Sequence, residues 1–318
     1  MLTKKIVFIS AQPDVPYFHW QVEVMIHNFM KVGINPNWIE VLWAHDGAPS
    51  AEVIHLAGKY PQVRFFFYKK RITQNNGYIP ILRPDILEQH FRAYPELRGD
   101  VIFYHDSDII FRELPDFSSM YDDHYWYLSD TISYIGADYI KSKSDSLFTN
   151  MCDIAKVEPS TVEANQAVSG GAQYLMKGVT AQYWEYVKTC ALDLYSYMAA
   201  REAAERSSLD AELAKSYNPI QKWCADMWAV LWGAWRSGAQ TRLHRDLEFS
   251  WGTSSLADYD KHKIMHNAGV TGNNDGRLFY KGEFINQSPF DADLSSIDPA
   301  TASSKYVEAI LYAKDRRQ

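Results

Sequence analysis

The residues best placed to do chemistry in this 318-residue chain are Asp106 and Asp108, in the segment His105-Asp106-Ser107-Asp108. Two carboxylates at i and i+2 on extended chain point to the same side. Held that way they can share a hard divalent cation, which prefers oxygen ligands. Such a cation neutralises the charge that develops on a diphosphate leaving group. The pair follows the apolar run Val101-Ile102-Phe103-Tyr104 and precedes Ile109-Ile110-Phe111, so it is expected at a strand end inside the fold. The alternative is a solvated or structural acidic pair.

Other residues offer partners for that site. His266 follows a short apolar run, Ile264-Met265, and is a candidate third metal ligand; its bland reading is a hydrogen-bonded core histidine. Asp226 sits in Trp223-Cys224-Ala225-Asp226-Met227-Trp228, on an otherwise apolar helix, where a carboxylate is costly unless paired or used. It is a candidate base on an attacking hydroxyl or a hydrogen-bond partner for substrate. Ser169-Gly170-Gly171 precedes another strand, and glycine allows close backbone approach to a ligand; an ordinary turn is the alternative. Gln12 and Asp14 follow the first strand, and Asp14 also reads as a turn residue. Arg83 and Lys281 are the candidate cations.

The elements that must position these residues are legible as periodicity. Strands are expected at Lys5 to Ser10, Trp38 to Ala44, Val63 to Tyr68 and Val101 to Tyr104, with Gln12-Pro13-Asp14 breaking the first. Phe18, Val22, Met25, Ile26, Phe29 and Met30 trace one helical face, ended by Gly33. Helices are also expected at Ala51 to Lys59 and Pro84 to Tyr94. This alternation is the sequence form of a parallel α/β sheet. In such sheets ligands bind beyond the carboxyl ends of the strands, where both Gln12-Pro13-Asp14 and Asp106-Ser107-Asp108 fall.

The second half is less regular. Strands are expected at Trp126 to Ser129 and Ala172 to Met176. Helices are expected at Ser144 to Lys156, over a long stretch from Thr180 to about Leu213 broken near Ser207-Ser208, at Ile220 to Trp235, and at Ser304 to Lys314. No repeat or linker stands out. One domain over 1–318 is expected, with a nucleotide-binding half at 1–112 and an acceptor half at 113–318 carrying a helical insertion at about 180–235.

Apolar strand, Asp-x-Asp, apolar strand resembles the hallmark of GT-A glycosyltransferases. That resemblance implies a mixed α/β sheet flanked by helices, a nucleotide-sugar donor (a UDP-sugar by analogy), and Mn²⁺ or Mg²⁺. It further implies that Asp106 takes the nucleotide side, that Asp108 and His266 hold the metal, and that Lys281 and Arg83 meet the diphosphate. By the same resemblance Gln12 and Asp14 hold the nucleobase, and Gly170 and Gly171 face the donor sugar and acceptor. The stretch Gln12 to Gly33 is similar to phage oxygenase-associated DNA-base glycosyltransferases and the base J glucosyltransferase. More loosely it resembles hydroxyproline arabinosyltransferases and peptidyl-serine galactosyltransferases. The first implies a 5-hydroxymethylpyrimidine in DNA, which is the acceptor expected here; the second implies the alternative, a peptide or glycan hydroxyl.

Composition bears on the choice. The net charge of −7 gives no broad attraction to a polyanion, so a DNA acceptor would need a local basic face. Arg64, Lys69, Lys70 and Arg71, or Arg236, Arg242, His244 and Arg245, are the candidate clusters, and a solvated surface is their ordinary reading. Cys152, Cys190 and Cys224 are far apart and odd in number, which argues for free thiols in a reducing compartment. The N-terminal apolar run is too short for a signal peptide or a membrane span, so a cytoplasmic protein with no membrane partner is expected. A metal-dependent phosphohydrolase or a non-catalytic nucleotide-sugar binding protein is the competing class. A hydrolase would need an early nucleophilic Asp, for which Asp14 alone is placed.

Overall fold

A computed structural model describes residues 4–73 and 77–317. Its main sheet has seven strands: β1 (Ile6–Pro13), β2 (Ile39–His45), β3 (Arg64–Lys69), β4 (Val101–Tyr104), β6 (Tyr125–Asp130), β7 (Gly170–Lys177) and β8 (Gln240–Leu243). Their order is β3-β2-β1-β4-β7-β6-β8. A smaller sheet, ordered β5-β10-β9, contains β5 (Ile109–Phe111), β9 (Phe249–Trp251) and β10 (Ile264–His266).

Strands β3, β2, β1 and β4 run parallel, and β7 is antiparallel to both β4 and β6. The parallel strands are connected by helices α1 (Pro16–Lys31), α2 (Ala51–Lys59) and α3 (Leu82–Ala93). The apolar run of β1 is continuous because both of its faces are covered. Ile6 and Phe8 pack with Val22, Met25 and Ile26 of α1 and Val53 and Leu56 of α2. Val7 and Ile9 pack on the opposite side with Ile86, Leu87 and Phe91 of α3, and with the helices Ala181–Ser207 and Ala225–Arg236. The chain builds outward from β1 through β2 to β3, then returns to place β4 on the other flank of β1. That reversal makes a switch point between β1 and β4, where open α/β sheets form a ligand crevice.

Most expected elements stand where periodicity placed them. Val101–Tyr104 and Ala51–Lys59 match residue for residue, and the long helical stretch is broken after Ser207. Two local expectations differ here: the helix expected from Ile220 starts only at Ala225, after a 3-10 turn over Lys222–Cys224, and the first strand runs past its expected break. Gln12-Pro13 does not break the first strand: the register continues through Gln12↔Trp43 and Pro13↔Ala44. Pro13 lacks an N–H but closes the strand, and the Asp14 amide bonds the Ala44 carbonyl at 2.8 Å instead.

A third apolar cluster joins the C-terminal helix Ala302–Lys314 to α1, with Trp20, Phe279, Phe284, Phe290 and Tyr306 at its centre. Among the described residues no helix is long and apolar enough to cross a membrane. Cys152, Cys190 and Cys224 are all free.

Candidate active site

Strand β4 ends at Tyr104, and the next four residues form the turn that carries Asp106 and Asp108 before β5 begins at Ile109. Strand β10 pairs antiparallel with β5, with His266 opposite Ile109. This pairing brings a histidine from late in the chain back to the acidic turn. One ligand atom each from Asp106, Asp108 and His266 lies within 4.8 Å of the others. The Nε2 of His266 is 3.2 Å from Asp108 Oδ1 and 3.5 Å from Asp106 Oδ2. Neighbouring ligands on an octahedral cation with bonds near 2.1 Å lie about 3 Å apart, so this donor set fits Mg²⁺ or Mn²⁺. The imidazole is held in place by stacking on Trp251, with centroids 6.1 Å apart and planes 10° apart.

Cations close the cluster. Lys281 pairs with Asp108 Oδ2, and Arg83 pairs with Asp106 Oδ1. Arg83 also reaches Asp226 Oδ2 at 2.8 Å, so one guanidinium spans the acidic turn and the helix Ala225–Arg236. Burial works against the charge on Asp108, but Lys281 and His266 outweigh it and hold its carboxyl well below the usual range. At Asp226 burial wins: despite Arg83, its carboxyl is pushed up, with Asp106 adding to the effect. Burial opposes the charge of Lys281 too, but Asp108 raises its pKa overall. Three carboxylates against two cations leave one net negative charge among Asp106, Asp108, Asp226, Arg83 and Lys281. A divalent cation would reverse that sign and prepare the site for an anionic ligand.

A cavity of about 680 Å³ adjoins the cluster. It is lined from the β1 end by Asp14 and Tyr17, from the β2 end by His45 and Asp46, and by Lys281 and Trp223. Lys281 therefore belongs to both the cavity wall and the acidic cluster. Asp14 lines the cavity, yet its carboxylate is fully engaged. It accepts from the Ser50 amide at 2.6 Å and the Ser50 hydroxyl at 2.7 Å, and pairs with His19 Nε2 at 2.7 Å. It thus ties the end of β1 to the start of α2. Gln12 is buried within the sheet, where its Nε2 donates to the Leu42 carbonyl at 2.8 Å; it does not line the cavity.

Gly170 and Gly171 begin β7 rather than preceding it. Their close approach is to the protein itself. A Cβ on Gly170 would lie 2.5 Å from the Ser129 carbonyl oxygen, and one on Gly171 would lie 2.7 Å from both Met227 Cε and the Tyr174 hydroxyl. The neighbouring Ala172 has φ of 65°, beside a register shift at Leu128/Ser129.

Tyr78, Tyr17 and Trp223 are site residues that motif reasoning missed. The Tyr78 hydroxyl donates to Asp226 Oδ1 at 2.9 Å and accepts from the Asp226 amide at 2.8 Å. No spacing rule links positions 78 and 226; the only local signal was an aromatic residue beside the helix that carries Arg83.

No protein-family profile matches the sequence, and no curated protein matches it. Among solved structures, all of the chain aligns with 52% of the apo bifunctional glycosyltransferase WbbM, at 11% identity and a TM-score of 0.50. The chain thus spans about half the length of that protein. It is also similar to the galactosyltransferase LgtC in complex with donor and acceptor sugar analogues, at 10% identity, covering 95% of this chain and 94% of that one, with a TM-score of 0.44. Mouse xyloside xylosyltransferase 1 in its apo form aligns at 8% identity over 82% of this chain and 96% of that one, with a TM-score of 0.41. The fold is the mixed α/β GT-A fold of glycosyltransferases.

Proposed function

We propose that this chain is a metal-dependent glycosyltransferase that moves a sugar from a nucleotide-sugar, a UDP-hexose in the first instance, to a hydroxyl acceptor. The observation that carries this is the meeting of Asp106, Asp108 and His266 beside Lys281, which also lines the 680 Å³ cavity. Asp106, Asp108 and His266 would hold Mn²⁺ or Mg²⁺, which supplies charge neutralisation to the departing diphosphate. In the reaction the bond between sugar C1 and the diphosphate oxygen breaks, and a bond from C1 to the acceptor oxygen forms. Lys281, released from Asp108, offers its ammonium to the diphosphate. Arg83 keeps Asp106 and Asp226 in fixed relation. Asp226, held by Arg83 and Tyr78, hydrogen-bonds the sugar or takes the acceptor proton. Gly170 and Gly171 let β7 lie close to Ser129 and to Met227, the neighbour of Asp226, and Asp14 anchors the turn at the nucleoside end of the cavity.

For the acceptor, a 5-hydroxymethylpyrimidine in DNA requires cations free to meet phosphates. The first candidate cluster is largely committed to acids within the protein. Arg64 pairs with Glu40, Lys70 with Asp46, and Arg71 with Asp85 and Glu88. Arg245 lies 3.7 Å from Asp246, and Arg242 lies over the Tyr125 ring. This internal pairing supports the second reading, an uncharged hydroxyl on a glycan or peptide, over the DNA base.

A thermal-shift and hydrolysis screen of UDP-glucose, UDP-galactose, UDP-GlcNAc and GDP-sugars with Mn²⁺ tests the reading. At least one donor is expected to stabilise the protein and turn over slowly, and neither effect should survive EDTA. If no donor does either, the glycosyltransferase reading fails. Label transfer to hydroxymethylated DNA in preference to oligosaccharide or peptide would restore the DNA acceptor.

A further inference from the structure

The 680 Å³ cavity carries much exposed apolar surface. Among the described residues eight large hydrophobic side chains are exposed, and four of them line this cavity: Val15, Ile79, Trp223 and Ile285. They come from four separate segments of the chain, so the grouping is a product of the fold and not of one apolar stretch. Exposed apolar surface gathered at one concavity marks a binding site. Trp223 is the largest of the four and is 54% exposed. It is nonetheless braced. Tyr78 meets its ring edge-on, with centroids 5.6 Å apart and planes at 88°, and Tyr78 in turn stacks on Tyr195 at 4.3 Å.

The ligand class follows from what lines the cavity. Lys281, which pairs with Asp108 of the acidic cluster, suits a diphosphate with its cation. The exposed apolar side chains, with the large aromatic plane of Trp223, suit a flat ring. A ligand that carries a flat ring and a diphosphate satisfies both, and a nucleoside diphosphate has that form. We infer that Trp223 contacts the nucleoside of the donor, and that Tyr78 acts as a positioning residue linking that contact to Asp226. The link is physical: the Tyr78 hydroxyl reaches the Trp223 carbonyl at 3.3 Å, Asp226 Oδ1 at 2.9 Å and the Asp226 amide at 2.8 Å. Ordering Trp223 on a nucleoside therefore orders the start of the helix that carries Asp226. This inference rests on the nucleotide-sugar reading of the site.

The test uses the full chain with UDP, GDP and ADP as probes, each with Mn²⁺, followed by kinetics with whichever nucleotide-sugar turns over. Trp223→Ala should raise the nucleotide Kd and the donor KM by about five- to one hundred-fold, the range expected for losing one base–aromatic stack. Its kcat should fall by much less. Trp223→Phe should recover most of the affinity. Tyr78→Phe keeps the ring and removes the hydroxyl; it should lower kcat while leaving the nucleotide Kd within about two-fold of wild type. An unchanged Kd in Trp223→Ala overturns the nucleoside contact. An unchanged kcat in Tyr78→Phe overturns the link to Asp226. If wild-type protein binds none of the three probes, the nucleotide reading itself falls and takes the inference with it, a result distinguished by the silence of the wild type.

Discussion

Asp108 has two oxygens and two different partners: His266 faces one and Lys281 the other. Asp108→Asn keeps the shape and removes the charge that both require. It is expected to abolish stabilisation by Mn²⁺ in a thermal melt and to lower sugar transfer by about 10²–10³, the usual loss when a transition-state charge partner goes. Full activity in this variant would refute the metal assignment. The glycine pair makes a second prediction at this scale. Gly170→Ala drives its Cβ against a backbone carbonyl, which cannot give way without moving β6. Gly171→Ala meets the flexible end of Met227 and a tyrosine hydroxyl. Urea unfolding should find Gly170→Ala the more destabilising of the two, by about 1–3 kcal/mol relative to wild type. The reverse order would show that the Met227 and Tyr174 contacts at Gly171 constrain the sheet more than the Ser129 carbonyl does at Gly170.

Helix α3 carries Arg83 at its start and Glu88 one turn and a half later. Glu88 is buried and bonds Lys188 of the helix Ala181–Ser207 at 2.6 Å, Arg92 at 2.7 Å, and Arg71. Burial works against its charge, but hydrogen bonds from Lys188, Arg92 and Arg71 prevail and hold its carboxyl at about 2, against 4.5 unperturbed. The folded pKa is depressed, so the stabilisation is fully present above the unfolded value and is lost as pH falls through the folded one. Urea midpoints measured between pH 5 and pH 2 should therefore fall more steeply in wild type than in Glu88→Gln, whose stability should be lower at neutral pH and flatter with acid. Parallel curves would mean that Glu88 does not clamp α3 to that helix. The same element shows the reach of periodicity. Its helical span was readable from residues 84 to 94, but the triple cation clamp on Glu88 was not, because Lys188 is supplied from a hundred positions away.

At the scale of the whole molecule, the site exists because the small sheet and the C-terminal helix fold back onto the switch point. Strand β10 delivers His266, and the segment after it delivers Lys281. Both rest on the cluster in which Tyr306 packs against Phe279 and Trp20 at centroid distances of 5.7 and 6.4 Å. Tyr306→Ala is expected to cost about 3–5 kcal/mol, as for other large aromatic truncations. It should also weaken Mn²⁺ stabilisation although its hydroxyl bonds neither aspartate, because the platform under Lys281 is lost. A variant destabilised by that amount with unchanged metal response would separate the platform from the site.

Strand and helix positions were legible in the chain because they follow from local apolar spacing, and Asp106 with Asp108 from simple adjacency after an apolar run. The same locality explains why the acidic turn could be placed at a strand end before any contact was known. His266 and Lys281 were nameable as residue types, but their union with Asp108 depends on β10 pairing with β5. Trp223, Tyr78 and Tyr17 had no readable role, and the engagement of Gln12 within the sheet had no signal either, whereas the turn reading of Asp14 anticipated its structural use. Those facts arise where segments far apart in the chain meet, and long-range strand pairing and packing set them. Spacing along a chain reports which face a residue shares with its neighbours; it carries no record of which distant face will be laid against it.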